Sequence, residues 1–230
     1  MGGLVGSGSD SWRRDDYELY SWNLYPDILI MDTVSYAVQS EFFKRLAFFV
    51  EKAGTASSLV PDSQLAKRHG WNAHDYRAED LARFFSRARL EAFSLGDREQ
   101  HLLDILLRTG IVTEAGDSFL PGVGGLIALS QESEPRLRSL FMLHEGYHGV
   151  FFLDARYRAA VRSAWDELSG LEQQFWKEFL LLRNYNVADE YLVLNEFQAY
   201  LMQVTAERLD AYYWNYAVPG LAKAVPRTGR

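Results

Sequence analysis

The chain has 230 residues, with 24 Lys and Arg against 31 Asp and Glu, five His and no Cys. That length suits one domain with a core large enough to need no covalent staples, and a 48% hydrophobic content excludes disorder as the main state. Without Cys, a disulfide scaffold, a thiolate zinc site, an iron–sulfur cluster and a Cys nucleophile are all excluded, so any transition metal must be held by imidazole and carboxylate. The net charge of −7 argues against a nucleic-acid partner.

In chain order, residues 1–16 read as a flexible Gly/Ser-rich lead-in. They lack a signal-peptide pattern, and Gly6 breaks the myristoylation pattern. No apolar run approaches the roughly 18 residues that span a bilayer. A cytoplasmic protein is the default expectation, and an exported form with a truncated start is equally compatible with the absence of Cys. Residues 17–218 read as a single domain and 219–230 as a loose basic tail.

The aromatic segment from Tyr17 to Tyr25 is expected to wrap the core. Ile28–Met31 predicts a buried strand, and the apolar spacing of Phe42, Phe43, Leu46 and Phe49 predicts a helix over 35–52. A short helix is expected to Arg68, then a polar-aromatic loop over 69–76, then helices over 78–94 and 98–109, the second stopped by Gly110. Residues 111–113 and 118–120 read as a hairpin, 121–125 as a loop and 126–129 as a strand. The remainder reads as four helices, over 135–152, 155–168, 171–184 and 188–214. The last is apolar on nearly every side and is expected to be central. The fold class is therefore α+β, mostly helical with a small sheet.

Chemistry concentrates in His144-Glu145-Gly146-Tyr147-His148. Residues four apart stack on one helix face, so both imidazoles can address one ion. Glu145 lies about 100° round, placed to reach a water on that ion without being a ligand. Zinc lowers the pKa of its water, and a neighbouring carboxylate takes the proton as that water attacks a carbonyl. Catalytic zinc usually has three protein ligands, and the extended motif with a nearby third His is absent, since no His follows His148. Glu196 is the leading candidate, because an ionised carboxylate in so apolar a helix is costly unless paired or metal-bound. Glu190, about 120° round the same helix, is its rival.

His144-Glu145-x-x-His148 followed by a downstream helix bearing Asn195-Glu196 resembles the gluzincin branch of zinc metallopeptidases. The resemblance covers roughly residues 120–205. It implies a zincin-like domain, a Zn²⁺ cofactor, and a peptide or protein substrate paired to an edge strand, for which Leu126–Leu129 is the candidate. Tyr200 stands four residues after Glu196, where some members carry an Asp that orients a ligand His. The partners of the imidazoles are thus left among Asp189, Gln203 and a backbone carbonyl. Tyr or His in such enzymes also steadies the developing oxyanion. Tyr200 and His74 are the first candidates for that task, with His69, Tyr76, Tyr212 and Tyr213 behind them.

Two other readings compete. Glu145-x-x-His148 is also the unit of di-iron carboxylate bundles, but a second Glu-x-x-His is missing. A metal-binding or degenerate zincin-fold module without peptidase activity is the main alternative.

Overall fold

A computed structural model describes residues 16–203. The predicted end of the last helix, both termini, Tyr212 and Tyr213 lie outside these residues. The architecture is α+β, built on a four-stranded mixed sheet of order β1-β2-β6-β3. β1 (Tyr17–Trp22) pairs antiparallel with β2 (Tyr25–Thr33), and β2 runs parallel to β6 (Gly125–Ser130). β3 (Ala73–Arg77) closes the far edge, antiparallel to β6.

Three sequence expectations change here. The aromatic segment at the start forms the edge strand β1 and leads into β2, rather than wrapping the core. The polar-aromatic segment 69–76 contains β3. Consequently the Leu126–Leu129 strand is interior and not the sheet edge. Every residue of β6 is buried, as expected of a strand flanked on both sides and covered on both faces.

The helices follow from their caps and apolar stripes. α1 (Tyr36–Val50) starts at Ser35, whose hydroxyl accepts from the Val38 N–H. A single turn, α2 (Asp62–Leu65), and two amphipathic helices, α3 (Ala78–Leu90) and α4 (Asp97–Thr109), follow. α4 stops at Gly110, whose φ of 75° suits a residue without Cβ. β4 (Val112–Ala115) and β5 (Ser118–Pro121) form the expected hairpin. The second half of the chain is helical: α5 (Pro135–Leu153), α6 (Ala155–Asp166), α7 (Gly170–Leu182) and α8 (Glu190–Met202). Asp154 ends α5 and caps α6, accepting from the Arg156 and Tyr157 N–H groups. Among the described residues, no helix is long and apolar enough to cross a membrane.

The sheet separates two apolar layers. Met31, Tyr76, Leu126 and Ala128 face α1, α3 and α4 and pack with Phe42, Phe43, Leu81 and Phe84. Ile28, Ile30, Ala73, Ile127 and Leu129 face the other way, onto Met142 of α5. A third cluster, including Phe151, Trp165, Phe179, Leu192 and Phe197, joins α5 to α6, α7 and α8. Because strand side chains alternate, Asp75 shares the α5 face with Ala73, whereas His74 and Tyr76 face α1.

Two features seat α5 on the sheet. A Cβ on Gly149 would come within 3.3 Å of Ile28 and Trp22, so this glycine sets a close helix–sheet approach. Nearer its start, Arg138 makes a two-pronged ion pair with Asp32 of β2, both N···O distances being 2.8 Å. Both side chains are 2% exposed. Burial pushes the Asp32 carboxyl up, and the guanidinium offsets this only in part.

Arg138→Met leaves the Asp32 carboxylate buried without that partner and should lower stability by about 3–5 kcal/mol. In urea titrations, Asp32→Leu combined with Arg138→Met should recover most of that loss. Equal losses in the single and double variants would show that the pair is not what matters.

Candidate metal centre

The site is assembled from four parts of the chain. α5 supplies His144, Glu145 and His148. One turn apart, the two imidazole rings meet edge to face with centroids 4.7 Å apart. α8 crosses α5 and supplies Glu196, which is 1% exposed. Its Oε2 lies 3.5 Å from His144 Nε2 and its Oε1 3.7 Å from His148 Nε2. One ligand-capable atom from each of these three residues lies within 4.8 Å of the others. Two donors held on a tetrahedral zinc at about 2.0–2.1 Å sit about 3.4 Å apart, so the spacing suits a shared cation.

The orphaned atoms point the same way. His148 Nε2, Glu145 Oε2 and Glu196 Oε2 are buried and have no hydrogen-bond partner among the described residues. Buried polar atoms are rarely left so unless an ion or water completes them. The donor set, two imidazoles and a carboxylate, is one that zinc accepts.

The structure adds two carboxylates that motif spacing did not identify. Asp75, from β3, places Oδ1 3.5 Å from His148 Nε2. Glu51 follows the last residue of α1. It is brought in by the chain's return, because Asn186 N–H donates to the Glu51 carbonyl and Lys52 bridges Tyr185. Asp75 escapes sequence reading because Ala-His-Asp-Tyr-Arg shows no apolar–polar alternation, having a polar side chain on each face. Glu51 carried a signal: it lies four residues after Ala47 and eight after Phe43, on the buried stripe of α1.

Crowding of like charges governs the electrostatics. Burial, then the charges of Asp75, Glu196 and Glu51, pushes the Glu145 carboxyl well above its ordinary range. Burial, then Glu51 and Glu196, does the same to Asp75. Burial pushes Glu51 up to about 8, with Glu196 adding to the shift. Glu196 differs: burial raises it, but His148, His144 and Tyr185 more than compensate, and it is held below the usual value. Burial lowers His148 to about 4, leaving a neutral imidazole suited to metal binding.

The other sequence candidates divide. Tyr200 is at the site, with its ring centroid 4.7 Å from that of His144. Together with Trp71, Asp75, Phe141, Arg183 and Tyr185 it lines a cavity of about 300 Å³ reaching His144 and Glu145. His74 is not brought there: its ring packs on Phe43, and its Nδ1 pairs with the Tyr76 hydroxyl at 2.9 Å. Its position on the α1 face of β3 explains this. His69 is paired with Tyr36 at the surface. Glu190 is exposed and ion-paired with Arg162 at 2.7 Å, which removes it as the rival ligand. Asp189 caps α8 through the Leu192 N–H and orients neither imidazole. Gln203 lines the cavity. Neither imidazole Nδ1 has a hydrogen-bond partner among the described residues. A larger cavity of about 580 Å³ lies elsewhere, around Arg45, Asp62 and Glu99. Arg45 is committed there to Glu99, Asp62 and the Val60 carbonyl.

Zinc should bind at one ion per chain and raise the unfolding temperature. His144→Ala, His148→Ala and Glu196→Gln should each abolish the shift, and Glu190→Gln should leave it intact, as read by elemental analysis and thermal scans. In chelator, the raised Glu51 carboxyl sets a second outcome. Its folded form keeps its proton where the unfolded form has lost it, so stability falls as pH rises from about 4.5 to about 8. Urea midpoints at pH 5.5 and 8.5 should therefore differ less in Glu51→Gln than in wild type. Comparison with protein-family models, with curated proteins and with solved structures finds no match to this chain.

Proposed function

We propose that this chain is a zinc-dependent peptidase of the zincin type, with His144, His148 and Glu196 as ligands and Glu145 as general base. The observation that carries this reading is Glu145 Oε2: buried, without a partner among the described residues, and beside three converging donors. Zinc held there would polarise a peptide carbonyl and lower the pKa of a water toward neutrality.

The protein's own groups would do the rest. Glu145 accepts a proton from the attacking water and returns it to the leaving amine. A cation beside it reverses the local electrostatics, because the charge that penalised an ionised Glu145 is then compensated. Tyr185 helps hold Glu196 as the carboxylate. Tyr200, against His144 and on the cavity wall, is the donor candidate for the developing oxyanion. An extended peptide would pair with β3, since β3 is the sheet edge and its Ala73 and Asp75 line the cavity.

The test compares wild type with Glu145→Gln on a broad peptide library, each with its zinc content measured. Cleavage should fall by about 100-fold or more while zinc stays bound, in line with the 10²–10⁴-fold typical of general base catalysis. Equal cleavage by the two proteins would overturn the base assignment. A wild type that binds zinc and cleaves nothing would favour a binding module.

A further inference from the structure

Asp75, whose side chain is 11% exposed, is a carboxylate that the peptidase scheme leaves unused. One atom from each of Asp75, Glu145 and His148 lies within 4.8 Å of the other two, a second triad sharing His148 with the first. Its other oxygen is fixed, because Asn195 Nδ2 donates to Asp75 Oδ2 at 3.1 Å. Asn195 is itself 2% exposed, and its side-chain Oδ1 accepts from Gln198 Nε2 at 3.5 Å. Oδ1 is therefore held toward His148 and Glu145 by a braced side chain.

A water coordinated through a lone pair keeps two O–H groups, and each needs an acceptor in a buried site. Two bonds of about 2.7–3.0 Å from one water reach oxygens about 4.3–4.7 Å apart. Oxygens of Glu145 and Asp75 lie within 4.8 Å of each other and of a ring nitrogen of His148, close to that reach. We propose that Asp75 is the second acceptor for the attacking water. Glu145 takes one proton, and Asp75 holds the remaining O–H through attack, so that a lone pair faces the substrate carbonyl. That second proton stays with the oxygen and leaves in the new carboxyl group. The proton on Glu145 passes to the amine. This inference rests on the metallopeptidase reading. Asn195 is a positioning residue acting through Asp75.

The experiment uses Asp75→Asn in the cobalt(II)-loaded protein, with azide as an anionic probe of the open coordination position, followed by visible absorption. Peptide hydrolysis is measured in parallel. With the cation compensating the neighbouring carboxylates, Asp75→Asn removes a negative charge beside the open position and should let azide bind at least about tenfold more tightly. It should lower kcat by about 10–100-fold, with KM nearly unchanged and cobalt still at one per chain. Asn195→Ala, which leaves both carboxylates in place, should lower kcat in the same direction by less. A merely structural role would lower stability without tightening azide. Wild-type azide affinity and kcat in Asp75→Asn would overturn the proposal, as would loss of cobalt from that variant, which would make Asp75 a ligand. If wild type takes up no cobalt or zinc, the metal reading falls and this inference falls with it.

Discussion

Three carboxylates, those of Asp75, Glu145 and Glu196, converge on two imidazoles, and a fourth, Glu51, lines the same cavity. Like charges in a low-dielectric space repel strongly, and they must take up protons or share a cation. Lys52, buried and lying over the Trp71 ring, contributes one positive charge to the Glu51 side of the cluster. It makes no hydrogen bond to the orphaned atoms of Glu145, His148 and Glu196. The arrangement thus stores an electrostatic demand that a divalent ion could meet. An ion held by His144, His148 and Glu196 would tie α5 to α8, and its uptake would then be linked to the stability of this half of the molecule.

The scaffold holds that demand in place with ordinary means. Gly149 lets α5 sit low on the sheet, and the Arg138–Asp32 pair anchors its earlier turns to β2. On the far side, Asn195 reaches Asp75, and Gln198 accepts from the Tyr157 hydroxyl at 2.8 Å, coupling α8 to β3 and α6. Helices carry His144, His148 and Glu196, and a paired strand carries Asp75, so these groups sit on rigid elements. Glu51 and Tyr185 arrive on connecting segments that meet through backbone hydrogen bonds.

Much of the fold was legible because its signals are local. The spacing of Phe42, Phe43, Leu46 and Phe49 marks α1, Gly110 marks the end of α4, and the hairpin shows its Gly at the turn. β3 was not legible. Its α5-facing groups are Ala73 and Asp75, its α1-facing groups His74 and Tyr76, and a strand with polar groups on both faces has no period to detect. Misreading β3 as a loop also moved the sheet edge to the Leu126–Leu129 strand and left His74 as a candidate for the cleft.

The sequence by itself determined the pairing of His144 with His148 and the placing of Glu145 beside them, because helical geometry relates residues four apart whatever surrounds them. It also determined that Glu196 is buried, since α8 is apolar on nearly every side. Only the tertiary structure decided that Glu196 rather than Glu190 faces the imidazoles, and that Asp75 and Glu51 join them. Those choices depend on how α8 crosses α5, on which strand takes the sheet edge and on where the chain returns past α1. Packing between distant segments sets all three, and no local period records it.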